Sequence, residues 1–474
     1  MSKGLHTPSF QQSLITFTAI VSVIGIGLFY LKVSLHSLML ICLVIAATSA
    51  WFLTRSGFGI IRDAMNSGIQ KALSAVYIFM LIGVLIAAFI QSGTVSTLIY
   101  YGIEFISPTL FLPAGLILCS FMSIATGTSW GTVGTAGVVL MGIGGAMGMP
   151  LPLVAGMVIS GATFGDKMSP VSDTTNLAAM SAGVDLYDHI RSMMMTTVPM
   201  FLLSLVAFYY LGSEYAATAL PIEKLEGLSN GLNSTFTINI WCLLPFAVML
   251  VLSVLRFAPE TAMMTSAIVA VLLATFMQGQ DFSTILNALY SGAEPHTGVE
   301  LLDNLLSRGG ISSMMWTLSL ALMALALGGI LDEFGFLRTL ISGLLKKVKH
   351  AGSLVTTTIL SCFIGNMSMG EAYMSIILGG QLFKGAYDKQ GINRNVLSRS
   401  LEEGATLTTA LIPWTTGGAF FATTLGVSVV DYAPWALLNW GNPILAIIFA
   451  YSGIALFSSK KPVVTTDSLT TAKA

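Results

Sequence analysis

FGDKMSPVSDTTN, residues 164–176, is polar and carries a proline, yet it sits in a chain whose composition leaves almost nothing to face water. Of 474 residues 54% are apolar and 9% charged, and the mean hydropathy is +0.82. That is too little polar surface to coat a soluble globule of this size, so the solvent is largely lipid. In lipid a helix satisfies its own backbone, and unwinding it is costly unless the freed groups line a cavity or meet an ion. Pro170 removes one amide and blocks the preceding turn, which predicts a helix break at membrane depth.

Three more segments share this character: SIATGTSWGTVGT (123–135), NMSMGEAY (366–373) and TLTTALIPWTTGG (406–418), the last broken at Pro413. Unwound backbone turns carbonyls toward its centre, hydroxyls and amides add neutral oxygens, and half-helix ends supply dipoles of either sign. Such a set suits a dehydrated sodium ion. The neutral candidates for substrate or ion binding are Thr128, Ser129, Thr132, Ser169, Thr174, Thr175, Asn176, Asn366, Ser368, Thr408, Thr409, Trp414, Thr415 and Thr416.

Asp166, Asp173 and Glu371 weigh more, because a charge at membrane depth is expensive and is usually kept for transport. Asp173 and Glu371 are the candidate Na+ ligands. Glu371 lies midway along the apolar run 351–383, whose flanks are basic, and is expected at the tip of a re-entrant hairpin. Asp166 precedes Lys167 and reads either as an ion ligand or as half of a local ion pair, and Asp173 reads either as a ligand or as a helix cap. A carboxylate that holds either Na+ or H+ couples the two fluxes by competition. Asp185, Asp188 and His189 read as the interfacial end of a helix, and Glu402 and Glu403, following Arg399, as a vestibule or loop pair.

The apolar runs 14–31, 35–53, 72–90, 194–211, 238–255, 261–277 and 434–457 each approach the roughly 20 residues needed to cross a bilayer. No ten-residue alternation of a membrane barrel is present. The expected class is an all-α polytopic membrane protein. Only Lys3 and His6 precede the first run and no small-residue cleavage site follows it, so it is expected to remain in the mature protein. Cys42, Cys119, Cys242 and Cys362 lack zinc or disulfide spacing and read as buried small hydrophobes. A net charge of −1 offers no nucleic-acid footprint. Neither cofactor nor enzymatic activity is expected.

Laid on itself at an offset of 243 residues, the chain matches Cys119 with Cys362, Gly127 with Gly370, Pro170 with Pro413 and Asp188 with Asp431. Gly161-Ala162-Thr163 falls on Gly404-Ala405-Thr406, and Trp130 on Tyr373. The expected organisation is an N-terminal repeat (1–213), an external or periplasmic linker (214–237), a C-terminal repeat (238–458) and a cytoplasmic tail (459–474). Lys and Arg favour cytoplasmic loops, and corresponding loops reverse sign. Arg55, Arg62 and Lys71 stand against Asp281, Glu294, Glu300 and Asp303; Glu104 stands against Lys346, Lys347, Lys349 and His350; Glu214, Glu223 and Glu226 stand against Lys460 and Lys461. This is the pattern of inverted-topology repeats, with broken helices and hairpins meeting near the midplane. It predicts a multi-pass protein of the cytoplasmic (inner) membrane with both termini cytoplasmic.

GTSWGTVGTAG (127–137), GIGGAMGMP (142–150) and ISGATFGDKMSPVSDTTNLA (159–178) resemble the NhaC family of Na+/H+ antiporters, within a larger ion-transporter superfamily. NMSMGEAY and LEEGATLTTALIPWTTGG (401–418) look similar to the same family. The resemblance implies exchange of Na+ for H+ across the lipid bilayer. Because the family's relatives include a malate/lactate exchanger and amino-acid carriers, a small organic acid or amino acid remains an alternative substrate. A homodimer is the expected assembly. Gly127-Thr128-Ser129-Trp130-Gly131 formally satisfies the G-x-S-x-G elbow of hydrolases, but that motif needs a strand entering a helix, and these residues lie in helical membrane sequence. A passive channel is disfavoured because channels draw symmetry from several subunits around one pore.

Overall fold

The structure, a computed structural model, describes residues 7–70, 73–105, 107–216, 222–255, 257–346, 348 and 350–457. Lys3, His6, Lys71, Lys347, Lys349, Lys460, Lys461 and the tail 459–474, on which part of the orientation reading stands, lie outside the described residues. The described chain is helical. Six helices are long and apolar enough to cross a membrane: Phe10–Tyr30, Leu35–Thr54, Pro108–Thr126, Leu186–Tyr215, Pro259–Phe276 and Gly310–Glu333. Three bent helix pairs raise the number to as many as nine. All seven apolar runs fall on these helices or pairs.

Part of the expected linker forms a helix, Ile222–Thr235. Leu228 and Leu232, four residues apart and therefore on one face, are buried there. The stretch is thus a packed amphipathic element.

Several helices correspond under the 243-residue offset. Helix Pro108–Thr126 and helix Ala351–Met369 have matching bounds under the offset. They end at Gly127 (φ 70°) and Gly370 (φ 67°), left-handed positions that favour glycine. Thr128 and Glu371 follow as N-caps of the next helical segments. Helix Leu151–Met168 breaks over 169–172 and resumes as Asp173–Ala182. Its counterpart is helix Arg394–Gly404 with the turn Thr406–Thr409, broken over 410–415 and resuming as Thr416–Leu425. Both breaks contain the predicted proline.

Contacts repeat as well as elements. The Ser123 hydroxyl donates to the Ala162 carbonyl at 2.6 Å, and the Asn366 amide donates to the Ala405 carbonyl at 2.6 Å. A Cβ added to Gly161 would lie 2.8 Å from Cys119 Cβ, and one added to Gly404 would lie 2.8 Å from Cys362 Cβ.

A helical hairpin spans the region where a re-entrant one is expected. Helix Ala351–Met369 and helix Ala372–Gln390 run antiparallel, tied by Thr358 Oγ1 and the Tyr387 hydroxyl at 3.2 Å. Glu371 stands at the tip.

Candidate ion-binding cavity

The four breaks converge on one cavity of about 450 Å3. Thr126 to Trp130 come from the first break and Asp166, Val171, Asp173 and Thr174 from the second. Glu371, Ala372 and Tyr373 come from the third, and Thr406, Thr409, Thr416 and Gly417 from the fourth. Ser253, Phe257, Pro259 and Glu260, at and around the connection between two helices, also line it. Within each segment the two breaks touch: Gly127 packs against Val171 and Ser172, and the Thr416 amide donates to the Gly370 carbonyl at 2.8 Å.

Glu371 is 2% exposed and caps its own helix, Oε1 accepting from the amides of Ala372 (2.9 Å) and Tyr373 (3.4 Å). Its Oε2 accepts from the Thr416 hydroxyl at 2.6 Å. Asp173 is exposed to the cavity in the first turn of its helix. Its Oδ1 accepts from the Thr174 amide at 2.8 Å, and its Oδ2 accepts from the Tyr373 hydroxyl. Asp166 is buried, with Oδ2 accepting from the Ser129 hydroxyl at 2.8 Å.

Under the offset Thr128 corresponds to Glu371, and Asp173 to Thr416. Each segment therefore contributes one carboxylate and one hydroxyl, in swapped positions.

Of the predicted site residues, Thr128, Ser129, Asp166, Asp173, Thr174, Glu371, Thr409 and Thr416 line the cavity. The other nine each donate to a backbone carbonyl and so fix the breaks. Thr132 bonds Thr128, Ser169 bonds Ile124, Thr175 bonds Asp166 and Asn176 bonds Pro170. Asn366 bonds Ala405, Ser368 bonds Ile364, Thr408 bonds Gly404, Trp414 bonds Met367 and Thr415 bonds Thr409.

Three readings need correction. Lys167 does not pair with Asp166. Its ammonium meets the Glu402 carboxylate, both groups fully buried, because adjacent helical residues face different directions. Glu402 and Glu403 are not a vestibule pair: Glu403 is also fully buried, held by the Thr196 hydroxyl at 2.6 Å and by Arg399 at 3.6 Å. His189 is buried against the Ser398 hydroxyl at 2.8 Å, whereas Asp185 and Asp188 are exposed as expected of a helix end.

Sequence reasoning missed Tyr373, Thr163, Thr406 and Glu260 as lining residues. For Tyr373 the available signal was its match to Trp130, which also lines the cavity and stacks on Phe420 at 5.0 Å. Among the described lining residues there are four carboxylates and no lysine, arginine or histidine. The helix N-termini at the breaks are capped by the chain's own side chains: Thr128, Ser172, Glu371 and Thr415 each accept from amides of the first turn. The cavity therefore offers oxygen lone pairs and negative charge.

A helical membrane chain with interrupted helices around an acid-lined cavity is a secondary transporter in its architecture. The profile of the Na+/H+ antiporter family matches residues 161–454. The chain is 38% identical to the Na+/H+ antiporter NhaC of Alkalihalophilus pseudofirmus, over 94% of this chain and 96% of that one. It is 39% identical to the malate-2H+/Na+-lactate antiporter of Bacillus subtilis, over 86% and 87%. It is 33% identical to the arginine/ornithine antiporter ArcD of Halobacterium salinarum, over 95% and 93%. The chain belongs to the Na+/H+ antiporter family.

Proposed function

We propose that Na+ and H+ compete for the carboxylates of this cavity, Asp166, Asp173 and Glu371. The chain is a secondary active transporter that exchanges Na+ for H+ across a membrane. The observation that carries the site assignment is the lining: four acids and, among the described residues, no base, with helix N-termini already capped, which together favour a cation. A carboxylate cannot hold Na+ and H+ at once, so release of one ion accompanies uptake of the other. Asp173→Asn and Glu371→Gln should each abolish Na+-dependent proton movement in everted vesicles while the protein stays inserted. Unchanged dequenching of a pH dye on Na+ addition would take these residues out of the mechanism.

Relatives with organic substrates and the cavity volume favour one second reading, transport of a small organic acid or amino acid coupled to Na+ or H+. An organic acid would meet carboxylates and no base, so a cationic substrate suits this lining better. Thermal shift of the purified protein with Na+, Li+, K+, malate, lactate and amino acids separates the two. Stabilisation by Na+ alone supports ion exchange, and stabilisation that needs an organic solute supports the second reading.

Residues 1–213 and 238–458 act in this reading as inverted repeats in the cytoplasmic membrane of a bacterial cell, with both termini cytoplasmic and a homodimer as the assembly. The reversal of loop charge supports the orientation. Single cysteines at positions 55 and 226 should label from opposite sides of the membrane.

A further inference from the structure

We infer that Arg308 is a positioning residue for the cavity: it anchors the far end of the half-helix Thr416–Leu425, whose near end carries the hydroxyl that holds Glu371. The inference rests on the Na+/H+ reading and adds to it a residue, outside the cavity lining, that sets how tightly Na+ is held.

Two half-helices leave the cavity, Asp173–Ala182 and Thr416–Leu425. They correspond under the offset, have ten residues each, and end at Gly183 (φ 72°) and Gly426 (φ 67°). The last carbonyls of a helix lack partners within it and gather roughly half an elementary negative charge. A cation covers each of these ends. At Gly426 it is Arg308, whose Nη1 donates to the Leu425 carbonyl at 2.8 Å. A Cβ added to Gly426 would lie 2.7 Å from Nη2 and 2.8 Å from Cζ of the same guanidinium. At Gly183 an added Cβ would lie 2.6 Å from Lys384 Nζ. The two cations do not correspond: at the offset Lys384 falls on Met141 and Arg308 on Met65. Unrelated positions meet the same electrostatic need, so the helix ends, and not the repeat, select the charge.

Arg308 acts from a fixed base. Its carbonyl accepts from the Ala293 amide at 3.4 Å, and a Cβ added to the next residue, Gly309, would lie 2.5 Å from the Ala87 amide nitrogen in helix Leu73–Gln91. At the other end of the half-helix, roughly 15 Å away at 1.5 Å per residue, the Thr416 hydroxyl donates to Glu371 Oε2 at 2.6 Å and its amide to the Gly370 carbonyl at 2.8 Å. A short helix carries a displacement from one end to the other as a rigid element. Releasing the Leu425 end therefore lets Thr416 leave Glu371, and Na+ binds only the fraction of molecules in which the site is assembled. The sign of the effect separates an anchor from a field. By Coulomb's law alone, removing a positive charge eases Na+ binding, whereas losing an anchor weakens it.

The test is the Na+ dependence of proton movement by the full-length protein in everted vesicles, with the melting temperature in detergent measured beside it. Arg308→Gln should raise the Na+ concentration for half-maximal movement about fivefold, with the maximal rate within about twofold of the unmodified protein. Arg308→Lys keeps a cation at the helix end and should stay within about twofold in both. Gly426→Ala displaces the guanidinium and should match Arg308→Gln. Gly279→Ala is its control: that glycine is equally left-handed (φ 65°) but has no atom within 4 Å of an added Cβ, so backbone strain alone should leave the Na+ dependence unchanged. If Arg308→Gln does not insert, the two glycine variants decide. An unchanged or lowered half-maximal Na+ concentration in Arg308→Gln, a fall in melting temperature without a Na+ shift, or equal Na+ dependence in the two glycine variants overturns the role of Arg308 and leaves the Na+/H+ reading standing. An unmodified protein without Na+-dependent proton movement overturns both.

Discussion

The Tyr373 hydroxyl, at the tip of the second segment's hairpin, donates to Oδ2 of Asp173, in the first turn of the first segment's broken helix. This bond joins the two repeat segments across the cavity, and it is asymmetric, because Trp130, which corresponds to Tyr373, has no hydroxyl to return it. Tyr373→Phe keeps the ring and removes the bond. A hydrogen bond to a solvent-accessible carboxylate contributes about 1 kcal/mol. The Na+ concentration for half-maximal proton movement in everted vesicles should therefore rise about fivefold, with insertion unchanged. A Na+ titration superimposable on that of the unmodified protein would show that the bond does not contribute to ion coupling.

The Lys167–Glu402 pair is fully buried and links helix Leu151–Met168 to helix Arg394–Gly404. Removing one partner strands the other charge in a low-dielectric interior, at a cost of about 3–5 kcal/mol. Lys167→Met and Glu402→Gln should each lower the melting temperature sharply. Lys167→Met combined with Glu402→Met should recover most of the loss, since neither charge is then stranded. Additive losses in the double variant would mean that the two groups act independently.

The breaks and three of the four cavity acids were legible because lipid leaves few uses for Pro170, Pro413, Gly127, Gly370 or a carboxylate at membrane depth. What a side chain faces around a break was not legible. Thr415 and Thr416 are adjacent, yet the first bonds the Thr409 carbonyl and the second bonds Glu371 in the cavity. Local spacing suggested that Lys167 serves Asp166, but its partner is Glu402, brought there by the packing of one repeat segment on the other. Glu402 and Glu403 read as a vestibule or loop pair because charge in sequence usually means water. Here each has its compensating group inside the protein.

Outside the spanning helices, the Thr297 amide and hydroxyl both donate to Asp303 Oδ1 at 2.7 Å. The side-chain bond, followed by the backbone bond, holds the Asp303 carboxyl below the usual aspartate value. The fold thus favours the anion. Its contribution is complete above the ordinary aspartate range and is lost as pH falls through the lower folded value, below about pH 4. At neutral pH Asp303→Asn should imitate that loss and speed hydrogen exchange at the Thr297 amide, with the spanning helices unaffected. Equal exchange in both proteins would show that this turn is held by other contacts.

Gly161 and Gly404 give the most direct test of the repeat as a packing unit. A Cβ at Gly161 would lie 2.6 Å from the Leu116 carbonyl oxygen, and one at Gly404 would lie 2.5 Å from the Ile359 carbonyl oxygen. Both obstacles are backbone atoms of a neighbouring helix, which cannot turn aside as a side chain can. Gly161→Ala and Gly404→Ala should each cost about 1–3 kcal/mol through overpacking, and the two losses should be similar because the contacts correspond. Gly385, with no atom within 4 Å of an added Cβ, is the control. There alanine should stabilise the helix by about 0.5–1 kcal/mol. Thermal unfolding of the three variants decides the matter: a loss confined to one of the first two would mean that the sequence match is not a shared helix contact.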